Sequence, residues 1–255
     1  MNLVRQYLRD TLWVALGYLV LMTGALAAAV FYWPDFRDNM PAIFKLIPFD
    51  ALRDLIAGID EFGYWAYFAI QQYFKGCSLF GLAAAALFGS GLVAREADQK
   101  TAEFLLSRPV SRRRVLLTRF AVAAVLVVAP VFLSSLAGMA MSPLIGEHLA
   151  LTPVLLGACY LSLFLLMQLA FCTWLSAGFE HQLKAGIILI GLMLLQFALY
   201  LVKGLGDYTL FALVDVNRLA GMTTGQFPWP EAASFAGAGL LFLLLALRRF
   251  ERRDF

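Results

Sequence analysis

Few residues in this sequence have the types and spacing that chemistry requires, and most of them fail once their neighbours are read. Lys100-Thr101 has the ending of a phosphate-binding loop, Gly-x-x-x-x-Gly-Lys-Ser/Thr, but the preceding glycines are missing, so this chain does not cradle ATP by that mechanism. The two histidines, His148 and His181, are separated by one long apolar run and cannot share a metal within one chain. No His-Glu-x-x-His, no Gly-x-Ser-x-Gly and no pair of aspartates inside an apolar run occurs, which argues against a protease, hydrolase or metalloenzyme. Cys77, Cys159 and Cys172 all sit inside apolar runs without metal-site spacing and read as small buried hydrophobes, neither ligands nor disulfide partners. What remains is the stretch from Arg95 to Arg119, the one long basic interruption between two apolar runs.

The elements that must position that stretch are membrane helices. Of 255 residues 62% are hydrophobic and only 15% charged, and the mean hydropathy is +0.78. A soluble domain needs more polar surface than this to cover its core. The net charge of +3 gives no reason to expect nucleic acid as a partner. Uncharged runs over 12–33, 76–94, 120–146, 149–179 and 185–202, with a shorter one over 232–247, predict six spanning helices. The first has no small-residue cleavage site behind it and is expected to be retained.

Between these runs the sequence turns mixed. Residues 1–11 read as a short interfacial helix, or as the frayed start of the first span. Trp33-Pro34 with Asp35 and Asp38 marks the exit of helix one, and 36–64 predicts short amphipathic helices on the membrane face, broken at Pro41 and Pro48. Residues 65–75 form the outer end of helix two, where Lys75 reaches toward the interface or serves as a buried functional lysine. Pro130 should loosen helix three, with Ser134 and Ser135 placed to help satisfy the freed carbonyls. Residues 203–231 are too polar to cross the bilayer and read as a re-entrant or interfacial segment. Gly81, Ala85 and Gly89 recur every four residues, a small-residue face for a subunit interface, a pathway seam or ordinary packing within the chain. Gln168 and Gln196 are expected to donate hydrogen bonds between helices.

Orientation follows from the basic residues. Arg5, Arg9, the seven between Arg95 and Arg119, Lys184, Arg248, Arg249, Arg252 and Arg253 place 14 on one side, against five on the other: Arg37, Lys45, Arg53, Lys203 and Arg218. The positive-inside rule puts both termini and the basic stretch in the cytoplasm.

Within that stretch Glu96 and Lys100 are four apart with the acid first, and Ala102, Leu105 and Leu106 supply an apolar edge, which predicts a short amphipathic helix. Pro109 ends it. Ser111 is a candidate cap for the next helix, which starts with Arg112, Arg113 and Arg114. Three cations at a helix N-terminus oppose its dipole, so lipid phosphates or an acidic partner surface should compensate them.

The order Arg95-Glu96, Lys100-Thr101-Ala102-Glu103-Phe104-Leu105-Leu106-Ser107-Arg108-Pro109-Val110-Ser111-Arg112, then Arg119, resembles the segment between helices two and three of ABC-2 type transporter permeases. Lys100 stands where glycine is usual there, and Thr118-Arg119 replaces Gly-Lys. The resemblance implies an all-α integral membrane protein, a single permease domain over 1–255. It has six helices, a cytoplasmic coupling region over 94–114 and an extracytoplasmic re-entrant segment over 203–231. It implies no enzyme on this chain but a transporter subunit of a bacterial inner membrane, an exporter by family expectation, working with a second permease copy as a homodimer or heterodimer among membrane lipids. A separate ABC ATPase carries the ATP and Mg. Carried over, Glu96 matches the gate-helix acid, Thr101 to Leu106 the coupling helix, and Pro109 to Arg112 the turn into helix three; Lys100, Glu103, Phe104, Leu105, Arg108 and Ser111 complete the expected ATPase contact. The reading from another class is a non-transporting scaffold that uses the same ATPase on an extracytoplasmic partner.

Overall fold

The computed structural model describes residues 3–46, 50–93, 111–179 and 181–252. Among the described residues there are helices and turns and no strand. In chain order they are α1 (Leu3–Leu46), α2 (Asp50–Ala69), a π-helical segment (Ile70–Gly81), α3 (Leu82–Gly91), α4 (Arg112–Met141), α5 (Leu151–Ser176) and α6 (Gln182–Tyr200). The short α7 (Leu210–Leu213) and α8 (Val216–Ala220) follow, then α9 (Trp229–Glu251). Six of the resulting helical stretches are long and apolar enough to cross a membrane, α2, the π segment and α3 together making one of them.

The bundle is built around α5. It packs against α9, α3, α4 and α6, while α1 lies along α4 and the π segment. Two thirds of the apolar window of α5 is buried, against 17% for that of α9. The sequence explains the contrast: α5 is apolar all round, whereas the outer helices turn one face to the core and leave residues such as Trp13, Val20 and Leu241 exposed.

The ends of the helices depart from expectation in instructive ways. From Leu3 onward, the stretch anticipated as an interfacial helix forms the first turns of α1, with Tyr7 already in the core. The break expected at Pro41 does not occur, because α1 continues through Pro34 and Pro41 to Leu46; the break expected at Pro48 lies outside the described residues. Met22, Leu26, Val30 and Trp33 are buried at helical spacing, and Phe36 and Met40 extend that stripe against the core. Packing along one face outweighs the local cost of a helical proline, about 3 kcal/mol. The break falls instead at Gly63, whose φ of 61° and ψ of −144° divide the amphipathic start of α2 from its buried end. That backbone region is essentially confined to glycine.

Cys77 and Cys172 are buried as expected, but Cys159 lies on an exposed face of α5. Ser134 and Ser135 are buried behind Pro130, yet they do not reach the carbonyl it frees, that of Leu126. Both hydroxyls donate to the Val131 carbonyl, at 3.2 and 2.7 Å. A serine side chain reaches back only three or four residues, and Leu126 is further than that.

At the end of the bundle away from the arginines, aromatic side chains with polar tips fasten the irregular segments. The Trp33 indole donates to Glu147 Oε1 at 2.8 Å, Trp65 to the Leu219 carbonyl at 3.2 Å, and Tyr160 to the Leu213 carbonyl at 2.5 Å. Arg218 pairs with Glu231 at 3.0 Å. Residues 203–231, expected as a re-entrant or interfacial segment, form α7, α8 and 3₁₀ turns held down by these bonds and by buried Phe211, Val214 and Leu219.

Candidate functional site

Of the residues expected to contact an ATPase, Glu96, Lys100, Thr101, Glu103, Phe104, Leu105, Leu106, Arg108 and Pro109 lie outside the described residues. Ser111 and Arg112 are described, as are the two helix ends that flank the stretch, and these ends are tied into one layer. Ser111 has an extended backbone (φ −63°, ψ 143°), and its hydroxyl accepts from the Arg114 amide at 3.4 Å. It caps α4 as expected; such a cap is worth about 1 kcal/mol.

Of the three arginines behind that cap, Arg113 finds an anion inside the chain. Both oxygens of Glu251, on the last turn of α9, accept from the Arg113 guanidinium, Oε2 at 3.1 Å from Nη2. Arg112 Nη1 donates to the Phe250 and Glu251 carbonyls, each at 3.4 Å. The electropositive start of α4 and the electronegative end of α9 therefore meet with charges of the right sign between them. The Arg113–Glu251 pair is open to water and adds little stability, but it fixes which helix ends lie together.

On the other flank, Arg119 Nη1 donates to the Leu92 carbonyl at 3.3 Å, and its guanidinium stands 6.0 Å from the ring centre of Tyr7. One residue thus joins α1, the end of α3 and α4. Ser176 Oγ donates to the Ser90 carbonyl at 2.7 Å and adds the end of α5. Nearby a recess of about 630 Å³ is lined by Trp174, Leu245, Arg248, Arg249 and Arg252 among others, with Arg249 5.9 Å from the Trp174 ring. Sequence reasoning missed Glu251, Leu92, Ser176 and Tyr7. Only Glu251 left a signal, as an acid in a basic tail, and nothing in the spacing matched it to Arg113.

Gly81, Ala85 and Gly89 are taken up by this chain's own packing. A Cβ on Gly81 would come within 2.8 Å of Leu165, and one on Gly89 within 2.8 Å of Cys172 Cβ and 3.1 Å of the Leu169 carbonyl. Ala85 is fully buried. The small-residue face seats α3 on α5, which leaves these three positions no room for a second subunit or a pathway. Gln196 joins α6 to α7, but as an acceptor rather than the expected donor: its Oε1 accepts from the Leu210 amide at 3.1 Å. Gln168 is buried, and among the described residues its Nε2 has no partner.

Two polar features lie deeper in the membrane part. Gln72, 1% exposed, donates from Nε2 toward Ser134 Oγ, Ser135 Oγ and the Val131 carbonyl at 2.7, 2.9 and 3.3 Å, and so joins the π segment to α4. A cleft of about 560 Å³ opens between the π segment, α2 and α6, with Phe74, Lys75, Met193 and Phe197 in its walls. No group of three or more potential metal ligands comes together among the described residues.

No curated protein matches this sequence. The family described as ABC-2 family transporter protein matches residues 4–218, which runs from the first turn of α1 into α8 and takes in the whole basic stretch. With six spanning helices in place and most of its length within that match, this chain belongs to the ABC-2 family of transporter proteins and is a multi-pass permease subunit of an ABC transporter.

Proposed function

We propose that two copies of this chain form an export pathway in a bacterial inner membrane. Residues 94–111 face the cytoplasm, with both termini, and seat in clefts on two separate ABC ATPase subunits that bind ATP and Mg. Closing of the ATPases on nucleotide pushes the seated segments and biases the pathway between inward and outward access. The observation that carries this reading is the Glu96 to Arg112 pattern within an ABC-2 chain that has no phosphate loop of its own. The cap at Ser111 and the bonds of Arg112, Arg113 and Arg119 support it, because a segment that transmits a push needs its flanking helix ends fixed.

The test is co-expression and co-purification of this chain with a candidate ABC ATPase subunit. Leu105→Arg and Phe104→Asp are each expected to abolish assembly or substrate-stimulated ATP hydrolysis. Retention of both in both variants refutes the coupling assignment. Nucleotide-dependent binding of an extracytoplasmic partner with no flux into vesicles would favour the scaffold reading.

A further inference from the structure

The cleft between the π segment and α6 combines two properties that together describe a ligand. Its walls are apolar, formed mainly by aromatic and aliphatic side chains of six elements: Phe36 of α1, Ile59 of α2, Phe74 of the π segment, Leu82 of α3, Met193 and Phe197 of α6, and Phe211 of α7. It has the size of a small-molecule site, about 560 Å³. Leu79 and Leu194 at its rim are about 60% exposed, so it opens sideways, toward the hydrocarbon in a membrane.

Among the described residues one cation, Lys75, lines this apolar space, and no acidic residue does. Lys75 is exposed at the mouth of the cleft; its Nζ donates to Gln71 Oε1 at 3.0 Å, a neutral acceptor, and among the described residues nothing matches its charge or the other two ammonium protons. The hydroxyl of Ser78, one turn further along the same wall, has no partner among the described residues. A lone ammonium beside hydrocarbon is costly, and such residues mark functional sites more often than packing. The cleft also lies in the half of the bundle away from the arginine cluster, so the positive-inside distribution does not account for this charge.

We propose that this cleft binds an amphiphile with one acidic headgroup, entering from the surrounding membrane. The apolar tail lies along Phe74, Met193 and Phe197, and a headgroup oxygen takes the free protons of Lys75. The proposal concerns binding by this chain and does not depend on ATPase coupling, which the experiment leaves out.

The full-length chain in neutral-lipid nanodiscs is titrated with hexadecyl phosphate, palmitate and hexadecanol, three probes with the same tail length, and bound probe is counted by native mass spectrometry. Both acids are expected to bind at least tenfold more tightly than the alcohol. Lys75→Met should bring them within about twofold of it, and Met193→Trp, which fills the cleft, should weaken all three about tenfold. Ala83→Phe blocks the same space from the opposite wall and serves if Met193→Trp does not fold. Inorganic phosphate at millimolar concentration is not expected to displace hexadecyl phosphate. Undiminished preference for the acids in Lys75→Met, undiminished binding when the cleft is filled, or displacement by inorganic phosphate would each overturn the assignment. A difference between palmitate and hexadecyl phosphate identifies the headgroup as carboxylate or phosphate.

Discussion

Gly89 gives the sharpest test of the packing between α3 and α5. A methyl group there would lie 2.8 Å from Cys172 Cβ and 3.1 Å from the Leu169 carbonyl oxygen, and neither atom belongs to a side chain able to rotate away. At Gly81 the obstructing atoms are the two methyls of Leu165, at 2.8 and 3.0 Å, which can turn. Overpacking costs about 1–3 kcal/mol, and replacing a helical glycine by alanine returns up to about 1 kcal/mol of propensity. The net loss for Gly89→Ala is therefore about 1–2 kcal/mol. At roughly 2–4 °C per kcal/mol for a chain of this length, its melting temperature should fall by about 2–8 °C. Gly81→Ala should stay within about 2 °C, because its clash and its gain in propensity nearly cancel. Thermal unfolding of the detergent-purified chain, followed by intrinsic fluorescence at several protein concentrations, measures both. Cys172→Ala should not rescue Gly89→Ala, since the Cβ it keeps is the atom in the way. Equal melting temperatures for wild type and Gly89→Ala, or a loss that depends on protein concentration, would refute packing within one chain and return Gly89 to a subunit interface.

Three further substitutions probe other joints. Gly63→Ala should destabilise by about 1–3 kcal/mol in the same assay although no atom lies within 4 Å of the added methyl, because the cost is in φ and ψ alone. Gln72→Leu should cost only about 1 kcal/mol, since Ser134 and Ser135 keep the bonds they donate to Val131 and the substitution also removes an unpartnered buried oxygen; a loss above about 3 kcal/mol by denaturant titration would mean that Gln72 holds the π segment in place. Ser111→Ala should cost about 1 kcal/mol and Ser111→Asp close to nothing, because an aspartate both caps the helix and offsets the arginines behind it; amide exchange over the first turn of α4 reads the difference.

The spans were legible because hydrophobic length is a local signal. Five uncharged runs and a shorter sixth fix six helices, and α5 and α6 fall within three residues of the apolar runs that announce them. The ends of α1 were not legible. Pro34 and Pro41 are strong local breakers, and what overrides them is contact with α2, α4 and the π segment, which no window of sequence contains. The capping serine was readable from Ser111 followed by Arg112, but its counter-ion was not. The sequence calls for an anion near three arginines, and the fold supplies Glu251 from 138 residues away. For the same reason the glycine stripe announced close approach to a neighbour without saying whose helix it was.

The π segment shows why the deeper polar residues escaped a helical reading. On an α-helix, Gln72, Gly76 and Leu79 share one face and Gln71, Lys75 and Ser78 another, so the sequence suggests one helix with a polar edge on which Lys75 alone stands out as a candidate functional residue. Over Ile70–Gly81 the helix is wider, and the Leu82 amide that closes it reaches back to the Cys77 carbonyl, five residues away. Widening turns Gln72 and Tyr73 into the core, where Gln72 meets α4 and the Tyr73 hydroxyl donates to the Val154 carbonyl at 2.7 Å, while Lys75 stays on the cleft side. Tyr73 is accommodated because Gly157 faces it, where an added Cβ would stand 2.5 Å from the ring. The separation of a buried amide from a cleft-facing ammonium three residues along thus depends on a glycine of α5, more than 80 residues away in sequence. Replacing Gly157 should therefore disturb the Lys75 cleft without touching any residue that lines it.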